Sequence, residues 1–152
     1  MGIARICNKV ALSILLSACA MPVFAQATVT LDFEGLRDNE SVNQFYNGGT
    51  GGAGSGPGAN YGVSFSSNGL ALIDSDAGGS GNFGGEPSGD TILYFVSGAS
   101  TTLNVAAGFT TGFSFYYASS VAATITVYDG PNASGNVLAT LVVPATPLGG
   151  GA

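Results

Sequence analysis

The chain is predicted to be all-β, a β-sandwich of jelly-roll or lectin-like type, and three observations carry that prediction. Apolar side chains recur at alternate positions, glycine-containing turn sequences interrupt these runs at short intervals, and no stretch after residue 25 has helical periodicity. At 152 residues with 45% hydrophobic side chains, there is room for one compact core and a short processing segment.

The processing segment comes first. Arg5 and Lys9 precede an apolar run from Val10 to about Val23, and Val23-Phe24-Ala25 offers the small or branched residues a signal peptidase inspects. A signal peptide over residues 1–25 is expected, with export and a new terminus at Gln26. Leu16-Ser17-Ala18-Cys19 supports a second reading, a lipobox that would leave Cys19 acylated, although little apolar chain lies upstream of it. The apolar run is short of the ~20 residues that span a bilayer. Cys7 and Cys19 both fall in this segment, so residues 26–152 have no disulfide and must hold together by packing, or with a bound ion as a staple.

Thr28 to Phe33 alternates with Val29, Leu31 and Phe33 on one face, which predicts a first strand. Asn47 to Gly62 is too rich in glycine for a regular element and is expected to be a long flexible loop. Tyr61–Ser66 and Leu70–Asp74 read as a hairpin turning at Ser67-Asn68-Gly69. After a second glycine-rich loop, Gly78 to Gly89, the run Thr91–Phe95 is apolar on both faces and reads as a central strand. Thr101–Val105, Thr110–Tyr117, Val121–Tyr128 and Asn136–Val143 complete eight strands, the last two joined by the breaker-rich turn Asp129 to Gly135. Pro144 to Ala152 has loop composition and no closing strand, so further chain beyond Ala152 is expected.

Several segments together resemble secreted bacterial proteins that carry a PEP-CTERM sorting tail: Asp32-Phe33-Glu34-Gly35-Leu36, Phe45-Tyr46-Asn47-Gly48-Gly49, the run from Gly56 to Phe65, and Val127-Tyr128-Asp129-Gly130 with Val137-Leu138-Ala139-Thr140. The resemblance covers about residues 28 to 143. It implies an exported lectin-like β-sandwich associated with exopolysaccharide and biofilm. The Pro-Glu-Pro motif, apolar span and basic end that define the tail do not occur in these 152 residues.

Composition excludes several chemistries. The sequence has no His, and after residue 25 it has no Lys or Cys, which rules out a Ser-His-Asp triad, a Schiff-base lysine, a thiol nucleophile and histidine-ligated zinc within residues 26–152. That stretch holds one base, Arg37, against nine acids, a formal charge of −8 that disfavours nucleic acid and anionic membrane surfaces. Gly51 to Gly58 lacks the lysine and the helix of a phosphate-binding loop. No catalytic residues are assigned; a carbohydrate-active enzyme using Glu34 or Glu86 is the minority alternative.

Calcium suits such an acidic chain, because it takes six to eight hard oxygens from carboxylates and loop carbonyls. Asp74 and Asp76, followed by glycines, form one candidate pair. Asp32 and Glu34, on the solvent face of the first strand, form the other; solvated turn and edge residues are the plainer alternative for both. Sugar binding in β-sandwiches uses flat aromatic faces, for which Tyr46, Tyr61, Tyr116 and Tyr128 are the candidates, against the alternative that each covers its own core. Arg37 is expected to pair with Asp38 or Glu40. The expected function is thus a non-catalytic cell-surface or matrix module that binds extracellular polysaccharide with calcium as a possible staple; the main alternative is a structural matrix protein without a ligand.

Overall fold

The computed structural model describes residues 28–146 apart from 88, 96–99, 110 and 111. The signal-peptide and lipobox segment and the end of the chain lie outside the described residues. Among those described there is no helix, and the chain is all-β. None of it is a helix long and apolar enough to cross a membrane.

Six strands form: β1 (Val63–Phe65), β2 (Leu70–Ile73), β3 (Thr91–Tyr94), β4 (Leu103–Val105), β5 (Ala123–Gly130) and β6 (Ser134–Val143). They pair antiparallel in three two-stranded sheets, β1 with β4, β2 with β3 and β5 with β6. The expected hairpin between β1 and β2 does not form. Gly69 N–H closes a turn on Ser66 O at 3.0 Å as Asn-Gly predicts, but Ser66 N–H donates to Thr102 O at 2.9 Å and Ser66 Oγ accepts from Thr102 N at 2.9 Å. The turn is fastened to the approach to β4, so the chain crosses from one sheet to another there. Val63 then faces Val105, and Leu70 faces Tyr94. β3, expected to be central, has only β2 as a neighbour among the described strands.

Thr28 to Phe33 is not a strand. Phe33 adopts a φ of +64°, costly for an aromatic residue, and its N–H donates to Tyr46 Oη at 2.6 Å instead of to a neighbouring strand. The alternation guided packing for two of its three residues: Leu31 and Phe33 lie against the core, with the Phe33 ring edge-on to Tyr46 at 5.8 Å and to Phe65 at 5.9 Å, while Val29 is exposed. That core comprises Leu36, Val42, Phe45, Tyr46, Val63, Phe65 and Ala71, and Val42 is fully buried.

The β5–β6 hairpin forms where two strands joined by a turn were expected, paired from Ala123 opposite Val143 to Gly130 opposite Ser134, with irregularities near Tyr128. Asn132 and Ala133 take left-handed conformations at its tip. Asp129 braces that tip by accepting Asn136 N at 2.7 Å and Asn136 Nδ2 at 2.9 Å, and these bonds hold its carboxyl below the ordinary range. The tip meets β4 through reciprocal bonds between Asn104 and Asn132 of 2.7 and 3.0 Å. Beyond β6, Thr146 and Ser119 bond backbone to backbone at 2.9 Å.

Candidate functional site

The acids act mainly on the backbone. Glu40 is 3% exposed, and its Oε1 accepts Ala53 N at 2.7 Å and Ser55 N at 3.0 Å while Oε2 accepts Arg37 N at 2.8 Å. Burial pushes the Glu40 carboxyl up, but the Ser55 hydroxyl and the three amides outweigh it and hold the group down at about 2. The consequence is a correction to the flexible-loop expectation. The stretch from Asn47 to Gly62 has no regular element, yet it is pinned by Glu40 and by loop bonds such as Gly52 N to Ser41 O at 2.8 Å and Gly58 N to Gly49 O at 3.0 Å. Arg37 also departs from expectation: its Nη1 donates to Ala53 O at 2.7 Å, and it is the Arg37 amide that meets Glu40.

Glu34 does similar work at a longer range. Its Oε1 accepts Asp90 N at 2.8 Å and Thr91 N at 2.9 Å, tying the turn after Phe33 to the start of β3. Asp32 Oδ1 accepts Glu34 N at 3.3 Å and the Tyr46 hydroxyl at 3.2 Å. Asp74 is buried, accepts Ser75 N at 2.6 Å, and bridges to Gly81, whereas Asp76 is exposed. Neither acidic pair is joined by a third acid: among the described residues no group of three or more metal-ligating side chains gathers. Glu86, the other carboxylate considered for catalysis, has a buried Oε2 with no hydrogen-bond partner.

The four candidate tyrosines separate. Tyr46 is 4% exposed, so it belongs to the core and is not an outward platform. Burial raises its hydroxyl above the ordinary tyrosine range, and neighbouring Asp32 adds to that. Its position follows from the Phe33 amide, which donates to the hydroxyl, and the Asp32 carboxylate, which accepts from it inside the protein. Tyr61 is exposed and stacks on Tyr46, with centroids 6.1 Å apart and planes at 17°. Tyr116 stands in solvent at 84% exposure, and Tyr128 is half-buried in β5.

A more extensive aromatic surface lies elsewhere. Phe113, Phe115 and Tyr117, which alternate along the expected strand Thr110–Tyr117, are exposed, and residues 112–118 form no strand. With Phe109 they make a continuous row: centroids 4.9 Å apart between Phe109 and Phe113, 6.1 Å between Phe113 and Phe115, and 6.2 Å between Phe115 and Tyr117. The Phe113 and Phe115 rings are stacked at 20°. Sequence carried a signal for this row, the charge-free Phe-Ser-Phe-Tyr-Tyr segment, but alternation alone does not say whether a face meets a core or solvent.

Comparison of the chain with protein-family models, curated proteins and solved structures gives no match.

Proposed function

We propose that the protein is an exported, non-catalytic module of the cell surface or extracellular matrix that holds polysaccharide on the aromatic row from Phe109 to Tyr117. The observation behind this reading is the row itself: four neighbouring rings, each with solvent access, spaced on the scale of successive sugar units. Pyranose rings offer C–H faces that pack on aromatic faces, and an extended glycan can bridge several of them at once. Contiguous exposed apolar patches on soluble proteins commonly mark interaction sites. The export signal, the acidic composition and the likeness to PEP-CTERM ectodomains support the same location. A jelly-roll sandwich is the finer architecture proposed, with the three small sheets as its parts.

The test is a glycan array followed by calorimetric titration of each responding polysaccharide, with calcium and with a chelator. Binding that falls at least about tenfold in Phe113→Ala and Phe115→Ala, and that persists in Tyr61→Ala, supports the row as the site. No response to any polysaccharide under either condition removes the proposal.

A further inference from the structure

Two Asn-Gly steps occur in the chain, Asn47-Gly48 and Asn68-Gly69. This dipeptide is prone to modify itself, because glycine places no Cβ in the way when its own nitrogen closes on the amide carbon of the preceding side chain. The fold treats the two steps differently. Gly69 is buried, and its N–H donates to Ser66 O at 3.0 Å inside the turn. The Asn68 side chain is held at both ends: Oδ1 accepts from Ser66 Oγ at 2.5 Å, and Nδ2 donates to Ser100 O. The nitrogen and the carbon that would have to meet are both fixed unless that turn opens. Asn47 and Gly48, in contrast, are both exposed. Gly48 N–H reaches Ala59 O across 3.4 Å, a long bond, and Asn47 Nδ2 donates at 2.9 Å to Gln44 Oε1 on a side chain that itself stands in solvent.

We infer that Asn47 is a self-modifying site, converting to aspartate and isoaspartate in the folded protein and thereby loosening the closure of the glycine-rich loop, while the turn at Asn68 protects the second step. The Gly48 nitrogen attacks Asn47 Cγ. That C–N bond forms, the Cγ–Nδ2 bond breaks, and Nδ2 leaves as ammonia with the proton given up by the Gly48 amide. Water then opens the cyclic imide. Addition at Cγ yields aspartate; addition at the backbone carbonyl carbon of Asn47 yields isoaspartate, in which the chain runs through the former side chain. Either product carries a new carboxylate, and the only co-reactant is water.

The position of Asn47 gives the change its effect. Asn47 forms an isolated antiparallel bridge with Asn60, so the two ends of the glycine-rich loop meet there. On one side of Asn47, Tyr46 O accepts Tyr61 N at 2.9 Å; on the other, Gly48 N donates to Ala59 O. Isoaspartate lengthens the backbone between these two bonds by a methylene, so both cannot keep their partners in register. Glu40 holds the loop at Ala53 and Ser55, near its middle, and does not secure this end. Tyr61, stacked on Tyr46 beside the bridge, is the side chain that gains freedom.

Incubation of the chain at mildly alkaline pH, folded and in urea, with peptide mapping by mass spectrometry that separates aspartate from isoaspartate, tests this. Dividing each folded rate by the rate of the same site in urea removes the influence of neighbouring sequence. Folding is expected to slow Asn68 at least about tenfold more than Asn47, since Asn68 reacts only through local opening of its turn. In the converted fraction, hydrogen exchange at the Tyr61 and Gly48 amides should be faster. Asn47→Gln, whose longer side chain closes the imide far more slowly, should retain native exchange at Tyr61 through the same incubation. Equal slowing of the two sites, an Asn47 that stays intact in the folded chain while it converts in urea, or converted protein with unchanged Tyr61 exchange would each overturn the inference.

Discussion

Glu40 Oε1 accepts the amide hydrogen of Ala53 at 2.7 Å, joining the turn after Leu36 to the middle of the glycine-rich loop. Glu40→Gln replaces a fully accepting carboxylate with an amide whose NH2 cannot accept from the surrounding N–H groups. Because a lost bond leaves the buried Ser55 amide or a part-buried amide of Arg37 or Ala53 without its acceptor, the variant should be about 2 kcal/mol less stable in urea unfolding. An unchanged midpoint would show that the clamp does not hold the loop.

The same group sets an acid limit. Its carboxyl is held at about 2 in the folded protein against 4.5 in an unstructured chain, so between these values the unfolded state binds more protons. Stability is therefore full above pH 4.5 and falls as pH drops toward 2, with Glu40 contributing about 3 kcal/mol to the loss. Denaturant titrations across this window should show that slope, and Glu40→Gln should flatten it.

Tyr46→Phe removes a hydroxyl that accepts from Phe33 N and donates to Asp32. The ring packing survives, while the amide of a residue at positive φ loses its acceptor. A cost of about 1–2 kcal/mol is expected, together with faster hydrogen exchange at the Phe33 amide.

Gly51→Ala examines the loop by shape. A Cβ there would come 2.5 Å from Glu40 Oε1 and 2.7 Å from Leu36 Cδ2, and Gly51 does not require a positive φ. The expected loss is about 1–3 kcal/mol. Gly52→Ala, whose nearest contact would be 3.1 Å, should cost less, and thermal melts of both variants provide the comparison.

Chelation addresses the expected calcium staple. With the Asp32–Glu34 and Asp74–Asp76 pairs each lacking a third acid, melting temperatures in calcium and in excess EGTA should agree within about 1 °C. A larger rise in calcium would show that loop carbonyls complete a site around one of these pairs.

Local pattern in the sequence located β5, β6 and the turn between them, because a long hairpin with a breaker-rich tip is specified by neighbours in the chain. It located β1 to β4 within a few residues but mispaired β1 with β2, since the bonds from Ser66 to Thr102 that carry the chain to another sheet span 36 residues. Phe33 illustrates the same limit: alternation placed its ring inward correctly, and only the Tyr46 hydroxyl, from 13 residues away, explains why its backbone leaves the strand conformation. For the site, Tyr46, expected outward, is buried while Phe115 is exposed, because burial depends on which face finds a cover, and a period of two does not encode that.

The carboxylate clamps at Glu34 and Glu40 tie distant loops together as cystine does in many small domains. Beyond Met21 the sequence contains neither cysteine nor methionine, and it has no tryptophan at all. Peroxide and similar oxidants therefore meet no sulfur in the folded domain, and thiol exchange cannot scramble or release its cross-connections.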